Sequence, residues 1–160
     1  MVRPSARVLM ACLVLALPAT QAAPAYVDAR LYPSQAAGWE RFRAVERALV
    51  RGFDNVCGDT FCEGEYYNLR PLRLRCSVQA VTGVLAGCLW TFTGSNAGVE
   101  RRSGRITVDV RHYACALPLA AGTTLEALLQ ALEAAPPGEA LDVPLPGTRQ
   151  TVYDGLVDCL

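Results

Sequence analysis

The sequence predicts an α+β domain: an N-terminal amphipathic helix, a three-stranded antiparallel sheet and two C-terminal helices, reinforced by three disulfides. Three observations carry this. Apolar residues recur at helical spacing between Trp39 and Val50. From Leu72 the pattern changes to strict alternation, the period of a half-buried strand. Six of the seven cysteines follow a hydrophobic leader, and an even thiol count in an exported chain reads as a disulfide framework.

The leader comes first in the chain. Arg3 and Arg7 form a positive n-region, and Val8 to Leu17 is an apolar run too short for a bilayer, which takes about 20 residues. Pro18 breaks the run, and Thr20-Gln21-Ala22 supplies small residues for a cleavage site. Residues 1–22 therefore read as a signal peptide and 23–160 as one secreted α+β domain. Leu9-Met10-Ala11-Cys12 loosely resembles a lipoprotein cleavage sequence, but the apolar run continues past Cys12 and the plain signal reading is preferred. No second hydrophobic segment follows, so no membrane span is expected in the mature chain, whose expected location is the periplasm or the medium.

All 15 basic residues are arginines; removing Arg3 and Arg7 leaves 13 against 15 acids, a net charge of about −2. That balance supplies no electrostatic reason to expect nucleic acid or an anionic membrane as a partner.

Pro33-Ser34 is a helix start with Ser34 as N-cap. Trp39, Phe42, Val45, Leu49 and Val50 form the apolar stripe, Glu40, Arg43, Glu46 and Arg47 a solvated face, and the helix is expected to end near Gly52. Leu72, Leu74, Cys76 and Val78 then line one face of a first strand. Val84, Ala86, Cys88, Trp90 and Phe92 line a second. With Val81-Thr82-Gly83 as a three-residue loop and Gly83 left-handed, Ala80 opposes Val84 and Cys76 opposes Cys88, which puts both thiols at pair distance. Gly94-Ser95-Asn96-Ala97-Gly98 reads as a turn before the charged tip Glu100-Arg101-Arg102. A third strand runs from about Arg105 to Ala116, with Ile106, Val108, Val110 and His112 on its apolar face. Short connections favour an antiparallel meander.

Thr123 to Glu126 matches a capping box ahead of the stripe Leu125, Leu128, Leu129 and Leu132. Pro136 to Gly147 reads as an ordered surface loop, and Val152, Leu156 and Cys159 fit one face of a short final helix. Six cysteines allow many connectivities, of which register singles out Cys76–Cys88. Proximity suggests Cys57–Cys62, which leaves Cys115–Cys159.

The densest polar segment runs from Gly52 to Asn68. Asp54, Asp59, Glu63 and Glu65 crowd around a Cys57–Cys62 loop, an oxygen set that makes them a weak calcium candidate. The EF-hand pattern fails at Val56, Gly58 and Asp59, and turn-capping by Asp54 or Asp59 accounts for the same residues. No metal or cofactor is therefore assigned. Zinc would need free thiolates or several histidines, and His112 is the only histidine. Ser95 lacks the flanking glycines of a nucleophile elbow. Asp59, Glu63 and Glu65 are also candidates for paired-carboxylate hydrolysis, although nothing distinguishes acid from base. No catalytic residue is assigned. Asp59, Phe61, Glu63, Glu65, Tyr66 and Tyr67 are instead candidate binding residues, the two tyrosines serving as exposed aromatic anchors on a rigid loop. A second candidate surface is an apolar patch of Leu85 and Leu89, on the sheet face opposite Cys88 and Trp90 and bordered by Arg73, Arg75 and Arg111.

The Gly52–Asn68 segment, with Cys88-Leu89-Trp90-Thr91-Phe92-Thr93-Gly94-Ser95 and the Asp158-Cys159-Leu160 ending, resembles a family of uncharacterised secreted proteobacterial proteins. The resemblance covers most of the mature chain. It implies an exported, disulfide-bonded domain and no activity, cofactor or catalytic residue.

The function expected is non-catalytic: binding of an exported or periplasmic protein, in the manner of an inhibitor or immunity factor. A helix across an antiparallel sheet also occurs in cystatin-like inhibitor folds, an analogy of fold alone. The alternatives are a small hydrolase or cation-dependent enzyme using the acidic loop 54–65, and a structural component of the envelope.

Overall fold

The computed structural model describes residues 25–58 and 60–160; the expected signal peptide and Asp59 lie outside the described residues. Helix α1 spans Gln35–Cys57, and the Ser34 hydroxyl accepts the Ala37 N–H at 3.3 Å as its N-cap. Phe42, Val45, Leu49 and Phe53 are buried along one stripe. The helix runs past Gly52, where an end was expected. A Cβ on Gly52 would lie 3.1 Å from the Leu141 side chain and 3.2 Å from the Gly138 carbonyl, so this glycine admits a crossing loop rather than stopping a helix.

The sheet has four antiparallel strands in the order β1 (Tyr26–Asp28), β2 (Arg70–Gln79), β3 (Leu85–Val99) and β4 (Ile106–Ala116). The three-strand expectation is corrected by β1, whose three residues are too few to show a period; it pairs with the Ser77–Gln79 end of β2. Cys76 does face Cys88. Gly83 is left-handed at φ 72°, but Gln79 rather than Ala80 bonds to Val84 across the turn. A register shift then makes Ala86 the extra residue between the Val78–Leu85 and Ser77–Gly87 pairs. This bulge reverses the alternation, so Leu85 is buried with Cys88 and Trp90 while Ala86 is exposed. A second shift between Pro71 and Arg73 leaves Leu72 exposed.

Gly94 to Gly98, expected as a turn, is strand. A Cβ on Gly94 would lie 2.8 Å from the Tyr66 side chain, and the Asn68 carboxamide accepts the Ser95 N–H at 2.7 Å. The Asn96 amide donates to the Glu65 carbonyl at 2.7 Å. Residues that favour turns are held extended by the segment packed beside them. The chain reverses instead through Glu100–Gly104, with Gly104 at φ 69°.

Helix α2 (Leu125–Glu133) buries Leu125, Leu128, Leu129 and Leu132, capped by Thr124 rather than Thr123. The short α3 (Val152–Val157) starts with a Thr151–Asp154 capping box. The Pro-rich connection between them is ordered and anchored by buried Leu141 and Leu145. Three cysteine pairs stand at disulfide distance: Cys57–Cys62, Cys76–Cys88 and Cys115–Cys159, with Cα separations of 5.0, 4.0 and 5.5 Å. The core lies between the sheet and the helices, where Phe53 meets Trp90 and Phe92. Among the described residues the helices occupy one face of the sheet, and no helix covers the other, where Leu89, Val108 and Val110 are exposed.

Candidate interaction surface

Parity along β4 decides which side chains reach that bare face. Cys115 bridges to Cys159 beside α3, so Cys115 and Tyr113 turn toward the helices. The other parity, Ile106, Val108, Val110 and His112, must then point outward. The four share one face of the strand, as the alternation predicts, and all four are exposed, Ile106 at 70% and Val108 at 65%. Alternation reveals that a strand has an apolar face but not which layer it meets.

Val99 lies opposite Ile106, and Ala97 opposite Val108, so the apolar block continues onto β3. At the other end of the same face, Leu89 is half exposed between Arg75 and Ala116. Here the bulge creates an open depression of about 830 Å³, lined among others by Tyr26, Arg75, Gly87, Leu89 and Ala116. Nothing lies within 4 Å of where a Cβ on Gly87 would sit. Asp28 accepts from Arg75 at 2.7 Å at the rim, which neutralises part of the positive border. Of the expected patch, Leu89, Arg73 and Arg75 are in place. Leu85 is in the core, and Arg111 is on the opposite face, donating to Glu65 at 3.1 Å.

The acidic loop is arranged differently from the expectation of an exposed binding loop. Phe61 stacks on Phe53 with ring centroids 5.7 Å apart and contacts Tyr153. Tyr66 is buried, because Gly94 leaves room for its ring, and its hydroxyl donates to Asp109 Oδ2 at 2.7 Å. That hydrogen bond, with desolvation and the nearby Asp109 and Glu65 charges, pushes the phenol up to about 12. Tyr67 alone of the two tyrosines is exposed, at 76%. Asp54 and Glu63 are exposed, and Glu65 is engaged by Arg111. Among the described residues, no three His, Cys, Asp or Glu side chains are grouped to hold a metal ion. Asp59 lies outside them.

A third polar cluster joins the helices. Arg41 donates to both Glu133 oxygens, at 2.7 and 2.8 Å, and to Glu126. These bonds raise the guanidinium further and, with Gln130, lower the Glu126 carboxyl. The cluster ties α1 to α2.

Among the described residues, no helix is long and apolar enough to cross a membrane. No protein-family model, curated protein or solved structure matches this chain.

Proposed function

We propose that this chain is an exported, non-catalytic domain that binds a protein partner through the outer face of its sheet. The observation that carries the reading is the block of exposed apolar side chains Val99, Ile106, Val108 and Val110, with half-exposed Leu89 at the other end of the same face, which no helix among the described residues covers. Exposing such a block to water is unfavourable by about 25 cal/mol per Å² of apolar surface, so contiguous blocks of this kind mark interfaces. The depression at Gly87 suits an apolar side chain of the partner, with Arg75 at its rim. Three disulfide-distance pairs are consistent with a periplasmic or extracellular setting. Cys76–Cys88 also ties β2 to β3 and Cys115–Cys159 ties β4 to the C-terminal turn, which lowers the ordering cost of binding.

The test uses Leu89→Glu and Gly87→Gln. Leu89→Glu places a charge on the face beside Arg75 at the rim of the depression, and Gly87→Gln fills the depression from a position with room for a side chain. The reading expects each variant to keep its thermal midpoint and to lose most of its saturable binding to a partner captured from the host envelope. Unchanged binding by both variants removes the face from the interaction.

A further inference from the structure

The two edges of the sheet are treated differently. Along β2, β1 pairs with Ser77–Gln79 and Glu46 accepts the free Leu74 N–H. No strand, among the described residues, pairs with the far side of β4. Native sheets blunt exposed edges with proline, bulges, very short strands, inward-pointing charges or covering elements, and of these β4 has only the oppositely charged Asp109 and Arg111 ahead of Ala116. β4 has 11 residues, no proline and no register shift against β3.

The ladder shows which backbone groups face this edge. Flanking β4, Glu100 N–H donates to the Arg105 carbonyl at 2.9 Å and Leu117 N–H to the Cys88 carbonyl at 3.0 Å. Because the register between them is unbroken, odd-numbered residues address β3 and even-numbered ones address the open edge. A Cβ on Gly155 of α3 would lie 3.0 Å from the Ala116 carbonyl, so that helix closes the edge at Ala116. The open stretch is Ile106 to Ala114, and its midpoint is Val110.

We propose that β4 pairs antiparallel with β4 of a second copy about a two-fold axis at Val110, joining the two sheets into one. In this register Val108 faces His112 and Ile106 faces Ala114, all residues whose N–H and C=O address the edge. Asp109 faces Arg111 of the second copy, twice by symmetry, at non-hydrogen-bonded positions where Cα atoms approach to about 4.5 Å. Opposite charges directly across a ladder stabilise it, and like charges oppose it. Moving the axis by one residue sets Asp109 against Asp109 or Arg111 against Arg111, so the charges select one register. Tyr66 and Glu65 already hold these two side chains in place. The pairing uses the strand edge and leaves the outer face open, so it does not depend on the partner reading above.

Light scattering on the mature protein over a concentration series reads the mass. The expected result is a concentration-dependent dimer. Val110→Pro should be monomeric with an unchanged thermal midpoint, since the N–H it removes addresses the edge and not β3. Val110→Cys should crosslink to itself under a short bis-maleimide. Ile106→Cys should not, because the two-fold axis separates its copies by about 27 Å along the strands. If Val110→Pro loses its fold, the cysteine pair carries the test. A monomer at every concentration, a dimer that survives a folded Val110→Pro, or Ile106→Cys crosslinking as readily as Val110→Cys overturns the proposal.

Discussion

Glu46 Oε1 accepts the backbone N–H of Leu74 at 3.0 Å, so one helix carboxylate satisfies a donor on the part of the β2 edge that the three-residue β1 does not reach. Glu46 is 7% exposed, although the helical pattern assigns it to a solvated face. It couples α1 to the sheet by a polar contact inside an otherwise apolar layer.

Removing that acceptor leaves a buried N–H without a partner. Glu46→Ala should cost about 1–3 kcal/mol in denaturant unfolding. Glu46→Gln, which keeps an oxygen in place, should cost less. Equal losses from the two would mean that packing, not the hydrogen bond, sets the effect.

The Tyr66–Asp109 bond makes stability depend on alkaline pH. The phenol is raised from its ordinary value near 10 to about 12 in the fold, so the native state retains a proton that the unfolded chain releases first. Its contribution is fully present below about pH 10 and disappears as pH rises toward 12. Wild type should exceed Tyr66→Phe in stability by a constant margin at neutral pH, and the margin should close through that window. A margin that does not change with pH would mean the phenol is not raised.

Gly94 and Gly87 are both strand glycines on β3 with opposite expectations. Gly94→Ala drives a methyl into Tyr66 and should cost about 1–3 kcal/mol. Gly87→Ala enters open space and should stay within about 0.5 kcal/mol of wild type. Thermal unfolding of the two variants reads the difference directly.

The Cys115–Cys159 pair ties the end of β4 to the turn after α3, across a sequence separation of 44 residues. Replacing both cysteines by alanine should lower stability by about 2–4 kcal/mol. Hydrogen exchange should show the loss concentrated in α3. Uniform loss across the sheet would mean that the pair braces the whole layer instead.

Much of this architecture is legible in the chain before any coordinates. The Phe42–Val45–Leu49 and Leu125–Leu128–Leu132 stripes are long and periodic, and Cys76 faces Cys88 as expected, although it is the Ala86 bulge and not the expected turn that sets this pairing. The misses share a cause: each depends on a neighbour distant in sequence. Gly94 to Gly98 is strand because Tyr66 and Asn68 pack against it, and Gly52 is helical because Leu141 crosses it. Ala86 bulges, which sends Leu85 inward. The outward side of β4 could have been read from Cys115. Once it pairs with a C-terminal helix, Val108 and Val110 must lie on the other face. In the acidic loop, burial of Tyr66 leaves Tyr67 as the one exposed tyrosine, because Gly94 on β3, distant in sequence, makes room for the Tyr66 ring.

The most direct test of the binding face is site-specific photo-crosslinking in the exporting host, with the reactive group placed in turn at Leu89, Tyr67 and Arg47. These positions sample the outer sheet face, the acidic loop and the exposed side of α1. The account expects one exported protein to attach from position 89 and not from position 47. Attachment from 67 or 47 with none from 89 would contradict it and place the interaction elsewhere on the molecule.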